Sequence, residues 1–402
     1  MTTQIFTTDS GGSGYPTRTA VIGWAVLLIV GILVVWAMLS VHWTHTLSIV
    51  VSGGVVLGLV SGALGSFAVL RQQSLLGDAL AHTALPGIAI AFLLSGRELP
   101  ALLLGAGIAG CIGVLLIRAI THTTRLKQDA AMAIVLSSFF AFGLALLAYI
   151  QGRGDASQAG LKSFVFGQAA AIVERDVWVL TLVASIVLVV MVVFWKEFKI
   201  ITFDSEYAKT LGIRARMIDL LLSLLIVIAI VLGLQLAGVV LMVGMLIAPA
   251  VAARQFTSRM GHMVLLAALF GGVAGGMGAV ISGLEAGLPT GPLIVVAAVL
   301  IALMALFIAP GRGILWAWLA QRRDRRVFAA QNVLQDLYRH CLSHNDLTQV
   351  TEESLLIGLR GAAAHAGLER LQREGLVHGH GSLWRLTAAG VEAARRLENL
   401  ER

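Results

Sequence analysis

The chain has 402 residues, 58% hydrophobic and 13% charged, with a mean hydropathy of +0.88. A soluble domain carries about 25% charged residues, so composition excludes a wholly soluble fold. Several apolar runs reach about 20 residues, enough to cross a bilayer as a helix, whereas a transmembrane barrel would read as short alternating segments. The net charge of +7 is distributed in a way that fits membrane topology better than nucleic-acid binding, and 44 glycines suit helices packed closely in lipid. Cys111 and Cys341 are the two cysteines and form neither a disulfide framework nor a zinc-binding pair.

Residues 1–19 form a polar tail, too weakly basic to open a standard signal peptide. Ten apolar segments follow, near 20–40, 47–70, 79–95, 98–118, 130–150, 176–195, 217–236, 238–255, 262–283 and 290–309. The least sharply defined are 79–95, which is short and contains Pro86, and 238–255, which follows its predecessor almost directly. The expected count is therefore about 8–10 spans. With the N-terminus inside, the inner loops hold 12 basic residues and the outer loops 4. By the positive-inside rule this places the loops after even-numbered segments, and the C-terminal tail, in the cytoplasm.

The junction Leu70–Gly87, LRQQSLLGDALAHTALPG, carries Asp78 and His82. Residues four apart share one face of a helix. A carboxylate and an imidazole are both ligands for divalent metals, and ionisable groups in or beside a span mark functional sites. The competing reading is that Asp78 caps the following helix, which leaves His82 and Pro86 without a reason.

The outer loop 151–175 is semi-apolar and glycine-rich, and fits either a re-entrant helix or a connector. In the inner loop, Asp204 or Ser205 can cap a short helix over Glu206–Leu211, with Gly212 ending it in a left-handed conformation. Such a helix suits the transmission of force from a soluble motor, although an unpartnered surface helix is the commoner origin of the pattern. Pro249 lies inside an apolar run, where it frees a carbonyl and kinks the helix. Met242 and Met245 could be soft ligands, although methionines at this spacing are more often packing, and Glu285 reads as either a cation attractor or a solvated turn residue.

A basic linker is expected over 311–326, ending in RRDRR, and a soluble domain over 327–402. Val377–His380 and Leu383–Leu386 flank Gly381-Ser382 as a hairpin, and Thr387 caps a last helix. Helix followed by hairpin is the outline of a winged helix. His340, His344, His365, His378 and His380 show no diagnostic metal spacing. The fold class is thus an all-α polytopic membrane protein with a small C-terminal cytoplasmic winged-helix-like α+β domain.

GALGSFAVLRQQSLLGDALAHTALPGIAIAFLLSG (62–96) resembles the signature region of bacterial ABC-type permeases that import manganese, zinc or iron(II). TFDSEYAKTLGI (202–213) resembles their cytoplasmic coupling segment, and LMVGMLIAPAVAAR (241–254) their later proline-containing helix. The long form, with an extra N-terminal span and a cytoplasmic extension, looks most like the manganese type. The extension GLERLQREGLVHGHGSLWRLTAAGVEAARRL is similar to the winged-helix part of iron- and manganese-responsive repressors, without the dimerisation and metal-site region that follows in them.

The resemblance implies an inner-membrane permease domain over 20–310 that works with a second permease, identical or different. It also implies a pair of ATPase subunits and an extracellular metal-binding lipoprotein. No permanently bound cofactor is implied; the metal is cargo, with Mn²⁺ favoured over Zn²⁺ or Fe²⁺. Asp78 and His82 fall at the positions expected to hold that metal, and Asp204, Glu206, Ala208 and Gly212 in the coupling helix. The chain has no GxxxxGK[ST] sequence, so ATP hydrolysis is expected from another subunit. Two other readings compete. A membrane-tethered DNA-binding regulator would use the C-terminal domain, and nucleic acid would then be a partner. A proton-coupled carrier would need more buried carboxylates and an inverted repeat.

Overall fold

In a bilayer every backbone N–H and C=O must be satisfied within the protein, so each apolar run has to become a helix. The computed structural model describes residues 44–96, 98–152, 173–284, 288–309, 313–344, 346, 349–361 and 363–401. The expected span 20–40, most of the loop 151–175, Glu285 and part of the start of the basic linker lie outside these residues. The chain divides into two units, 1–313 and 314–402.

The first unit is helical. Its elements are α1 (His45–Leu70), α2 (Ser74–Ser95), α3 (Leu99–Thr123), α4 (Gln128–Gly152) and α5 (Glu174–Val193). Two short helices follow, α6 (Trp195–Phe203) and α7 (Ser205–Thr210), and then α8 (Ala215–Ala237), α9 (Val239–Phe256), α10 (Met260–Leu284) and α11 (Thr290–Ile308). Among the described residues eight helices are long and apolar enough to span a membrane, and α9 is shorter. Nine of the ten expected segments are therefore helices. The main difference is α2, which begins at Ser74 rather than near 79, because Gln72 turns the chain with φ 56° and Gln73 takes the N-cap position. Between α8 and α9 the reversal is made at Gly238, whose φ of 78° favours a residue without a Cβ.

Packing is closest where side chains are absent. A Cβ on Gly58 of α1 would overlap the carbonyl of Gly271 on α10, and one on Gly271 would overlap that of Gly58; Gly54 and Gly275 repeat the arrangement one turn away. Gly87 of α2 and Gly105 of α3 meet in the same manner. Small residues let helices approach until backbones touch, which substitutes for the hydrophobic driving force that lipid cannot supply. As a result α2 is 78% buried and α1 67%, whereas α4 and α5 are each 22% buried. Phe67, near the end of α1, is fully buried against Trp195 and Phe198 with ring centroids 6.0 and 5.9 Å away, and so anchors α6.

The second unit has its own core. Its elements are α12 (Ile314–Ser343), β1 (Thr351–Glu352), α13 (Glu353–Arg360), α14 (Ala363–Arg373), β2 (Val377–His380), β3 (Leu383–Leu386) and α15 (Ala388–Glu401). The expected linker is helical from Ile314 onward; no Gly or Pro interrupts 314–343, and arginine is a good helix former. The three strands form an antiparallel sheet in the order β1-β3-β2, with His380 paired to Leu383 across the Gly381 turn. Leu334, Leu337, Leu368, Leu371, Val377 and Leu386 are buried. Thr387 caps α15 by accepting from Gly390 N at 3.1 Å, as the sequence suggests.

At the start of α13, Glu353 accepts from the Trp384 indole at 3.2 Å and pairs with His365 of α14 at 2.7 Å. These hydrogen bonds hold the Glu353 carboxyl below its ordinary pKa. The hydrogen bond to Glu353, and then its charge, raise His365 above the usual histidine value.

Two outcomes follow from this packing. Gly58→Leu should lower the thermal midpoint and folded yield in detergent, at a cost of about 3 kcal/mol, whereas Gly107→Ala, with nothing among the described residues within 4 Å of its Cβ position, should leave both unchanged. Size-exclusion chromatography of heated samples distinguishes the two. For the second unit, the raised His365 stabilises fully below its unfolded pKa and less as pH rises through the folded value. The lowered Glu353 stabilises above its unfolded pKa and less as pH falls through the folded value. The α13–α14 contact should therefore be tightest between roughly pH 4.3 and 6.5. Hydrogen exchange over 353–373, corrected for intrinsic rates, should show loosening on both sides, with the alkaline limb lost in His365→Ala.

Candidate functional site

The sequence-predicted pair comes together in α2. Asp78 and His82 lie one turn apart, with His82 Nε2 3.3 Å from Asp78 Oδ1. Asp78 does not cap the helix. It stands one turn inside, about 6 Å along the axis from Ser74, with His82 about 6 Å further. The capping explanation therefore fails, and a carboxylate is left within a span without that structural reason.

The surroundings fix the imidazole. Phe140 of α4 meets the His82 ring edge-on, 4.7 Å between centroids. That approach depends on Gly143, one turn along α4, where a Cβ would press on Leu85 and Pro86. Leu246 of α9 fills the space over Gly77, directly before Asp78. Pro86 has no N–H, so the carbonyl of His82 loses the donor that position 86 would supply.

His82 is 16% exposed at its side chain and Asp78 38%. Among the described residues His82 Nδ1, the nitrogen turned away from Asp78, is buried without a hydrogen-bond partner, a costly state for a polar atom. A carboxylate oxygen and an imidazole nitrogen form a donor pair suited to a divalent cation of intermediate hardness. Among the described residues no third His, Cys, Asp or Glu completes a metal cluster. Met242 and Met245 are fully buried in packing, with Met242 lying against Gly233.

The inner-loop helix forms as the sequence suggests. Asp204 Oδ1 accepts from Tyr207 N at 2.8 Å, and Gly212 has φ 75°. Ala208 is fully buried, and Glu206 pairs with Lys209 at 2.6 Å. Phe203, Tyr207 and Leu211 are exposed by 63, 54 and 51%, so this segment presents an apolar surface.

Sequence reasoning overlooked Asp219. Its two carboxylate oxygens receive Arg71, which precedes α2, and Arg118, near the end of α3. Arg118 also donates to the Arg216 carbonyl at 3.0 Å. Asp219 thus ties the starts of α2 and α8 and the end of α3 beside the α6–α7 segment. The available signal was its place as the sole acidic residue in the apolar run 217–236.

Asp219→Asn leaves two partly buried guanidinium groups without their carboxylate. Removing one partner of a fully buried pair costs about 3–5 kcal/mol. With Asp219 30% exposed, solvent screening reduces this to roughly 2 kcal/mol. A lower thermal midpoint for Asp219→Asn in detergent, with Asp219→Glu nearer the original, would check this.

The family model "ABC 3 transport family" matches residues 42–309. The "Manganese transport system membrane protein MntC" of Bacillus subtilis is 41% identical over 345 residues, 85% of this chain and 79% of that protein. The "Zinc transport system membrane protein TroC" of Treponema pallidum is 44% identical over 288 residues, 71% of this chain and 97% of that protein. Among solved structures, "PsaBC from Streptococcus pneumoniae in complex with Fab" aligns with a TM-score of 0.59 and 32% identity, covering 67% of this chain and 94% of that one.

Proposed function

Since the chain belongs to the ABC 3 transport family, we propose that it is the membrane-spanning permease subunit of an ATP-driven importer that carries a divalent transition metal, Mn²⁺ in preference to Zn²⁺ or Fe²⁺, into a bacterial cell. The observation that carries the metal reading is the Asp78–His82 pair within a spanning helix, with His82 Nε2 3.3 Å from Asp78 Oδ1. One chain supplies two side-chain ligands. A second permease, a further copy or a different subunit, would supply the rest, giving about four mixed oxygen and nitrogen ligands.

The metal is cargo and undergoes no covalent chemistry. Asp78 supplies charge, His82 supplies a softer donor, and Phe140 with Gly143 keeps the ring from swinging away. ATP is hydrolysed by partner subunits that bear on the apolar surface of Phe203, Tyr207 and Leu211. From there force reaches α2 through α6, α8 and the Arg71–Asp219–Arg118 contact. An extracellular metal-binding lipoprotein delivers the ion. The 12 to 4 distribution of basic residues supports an inner-membrane orientation with a cytoplasmic C-terminus.

The manganese preference rests on the longer form. The alignment with the manganese relative is longer than the stretch 42–309 matched by the family model. Zinc and manganese relatives are nonetheless similarly identical, and both metals accept these ligands. The helix pair α13–α14 and the β2–β3 hairpin joined by β1 support a winged-helix reading of the second unit, attached to the transporter rather than acting alone.

Asp78→Ala/His82→Ala, expressed with its ATPase and binding protein, should reduce cellular Mn²⁺ uptake at least tenfold at unchanged membrane abundance. Uptake equal to the parent chain would remove the ligand assignment. Parallel uptake of Mn²⁺, Zn²⁺ and Fe²⁺ by the parent chain tests the preference.

A further inference from the structure

At the end of the helices opposite Pro86, a cavity of about 340 Å³ opens between α3, α8 and the α6–α7 segment. Its size lies within the roughly 300–1,000 Å³ of small-ligand sites. Among the described residues Arg71, Arg118, Lys209 and Arg216 line it with Asp219, four cations against one carboxylate. Discounting Lys209 for its bond to Glu206 still leaves two positive charges without a carboxylate in the cavity. His122, Thr121, Gln128 and Ser205 add polar groups to the wall.

The arginines are already oriented. Asp219 holds Arg71 and Arg118 side by side, and the Arg216 carbonyl fixes the second guanidinium. One carboxylate cannot neutralise two guanidinium groups whose side chains are 14 and 21% exposed. Excess charge held near a bilayer is unfavourable until a counter-anion arrives, and guanidinium forks match phosphate oxygens. A divalent cation is repelled by the same charges, so this cavity is no part of the cargo site. The remaining stretch of α3 toward Leu115 and Leu116 is exposed and apolar, so lipid reaches the same end of the helix.

We propose that this cavity is an anion site that binds a phosphate group, either the headgroup of an anionic phospholipid or free phosphate. Basic pockets between spanning helices on the cytoplasmic side recognise such headgroups. An anion seated there would bridge Arg118 and Arg216 to Lys209, locking α7 onto α3 and α8. Site occupancy would then set how firmly the inner-loop helix is held.

The test uses the full chain in neutral detergent and scores binding without transport, so its outcome is independent of the metal assignment. Thermal midpoints are titrated with phosphatidylglycerol, with phosphatidylcholine as control, and separately with inorganic phosphate. Phosphatidylglycerol should stabilise where phosphatidylcholine does not. Its apparent affinity should fall roughly fivefold in Arg216→Gln, less in Lys209→Gln, whose charge Glu206 already offsets, and hold in Arg259→Gln, whose position lies outside the cavity. Stabilisation by inorganic phosphate that is lost in the same variants assigns the site to a soluble anion; an effect of phosphatidylglycerol alone assigns it to the lipid. The proposal is overturned if neither anion stabilises the chain, or if Arg259→Gln weakens the response as much as Arg216→Gln. Both variants change exposed side chains and should fold, and Arg216→Gln alone suffices for the comparison.

Discussion

Direct backbone contact between α1 and α10 is the constraint on which the membrane unit depends. Water drives apolar surfaces together in a soluble domain, but lipid gives helices no comparable reason to associate. Here Gly54 and Gly58 face Gly275 and Gly271 closely enough that no side chain fits between. That closeness fixes the distance from α1 to its neighbours. It also holds Phe67 on Trp195 and Phe198 and brings Leu246 against both Gly65 and Gly77. Asp78 directly follows Gly77, which packs against Leu246 of α9.

Among the described residues, two polar clusters stand beside the packed helices. Asp78–His82 lies within one helix but is buttressed by α4 and α9. Asp219 joins three elements at a single carboxylate. The α6–α7 segment is held on one side by Phe198 and on the other by the fully buried Ala208. The Arg71–Asp219–Arg118 contact thus joins the start of α2 to α8 and the end of α3.

Much of this was legible in the sequence where one residue type has one local job. Gly212 and Gly381 turn the chain where a positive φ is needed, Asp204 and Thr387 cap, and the hairpin forms between the expected strands. The Asp78–His82 pair followed from helical spacing alone. What escaped depended on distant partners. The start of α2 at Ser74 is set by a left-handed Gln72, a conformation that sequence disfavours outside glycine and asparagine. Asp219 acquires its meaning only from Arg71 and Arg118, 148 and 101 residues away. The strand β1 is two residues long and exists because β3 has an open edge beside it, which no local pattern announces.

The uncapped beginning of α2 has an electrical consequence. A helix N-terminus carries roughly half a positive charge, Gln73 places no side-chain acceptor on it, and Arg71 and Arg118 stand close by. A cation moving from Asp78 toward Ser74 climbs against this potential. A cation approaching from the other side meets it first. On the proposed metal reading, this positive end of α2 would oppose the return of a cation from the Ser74 side to Asp78.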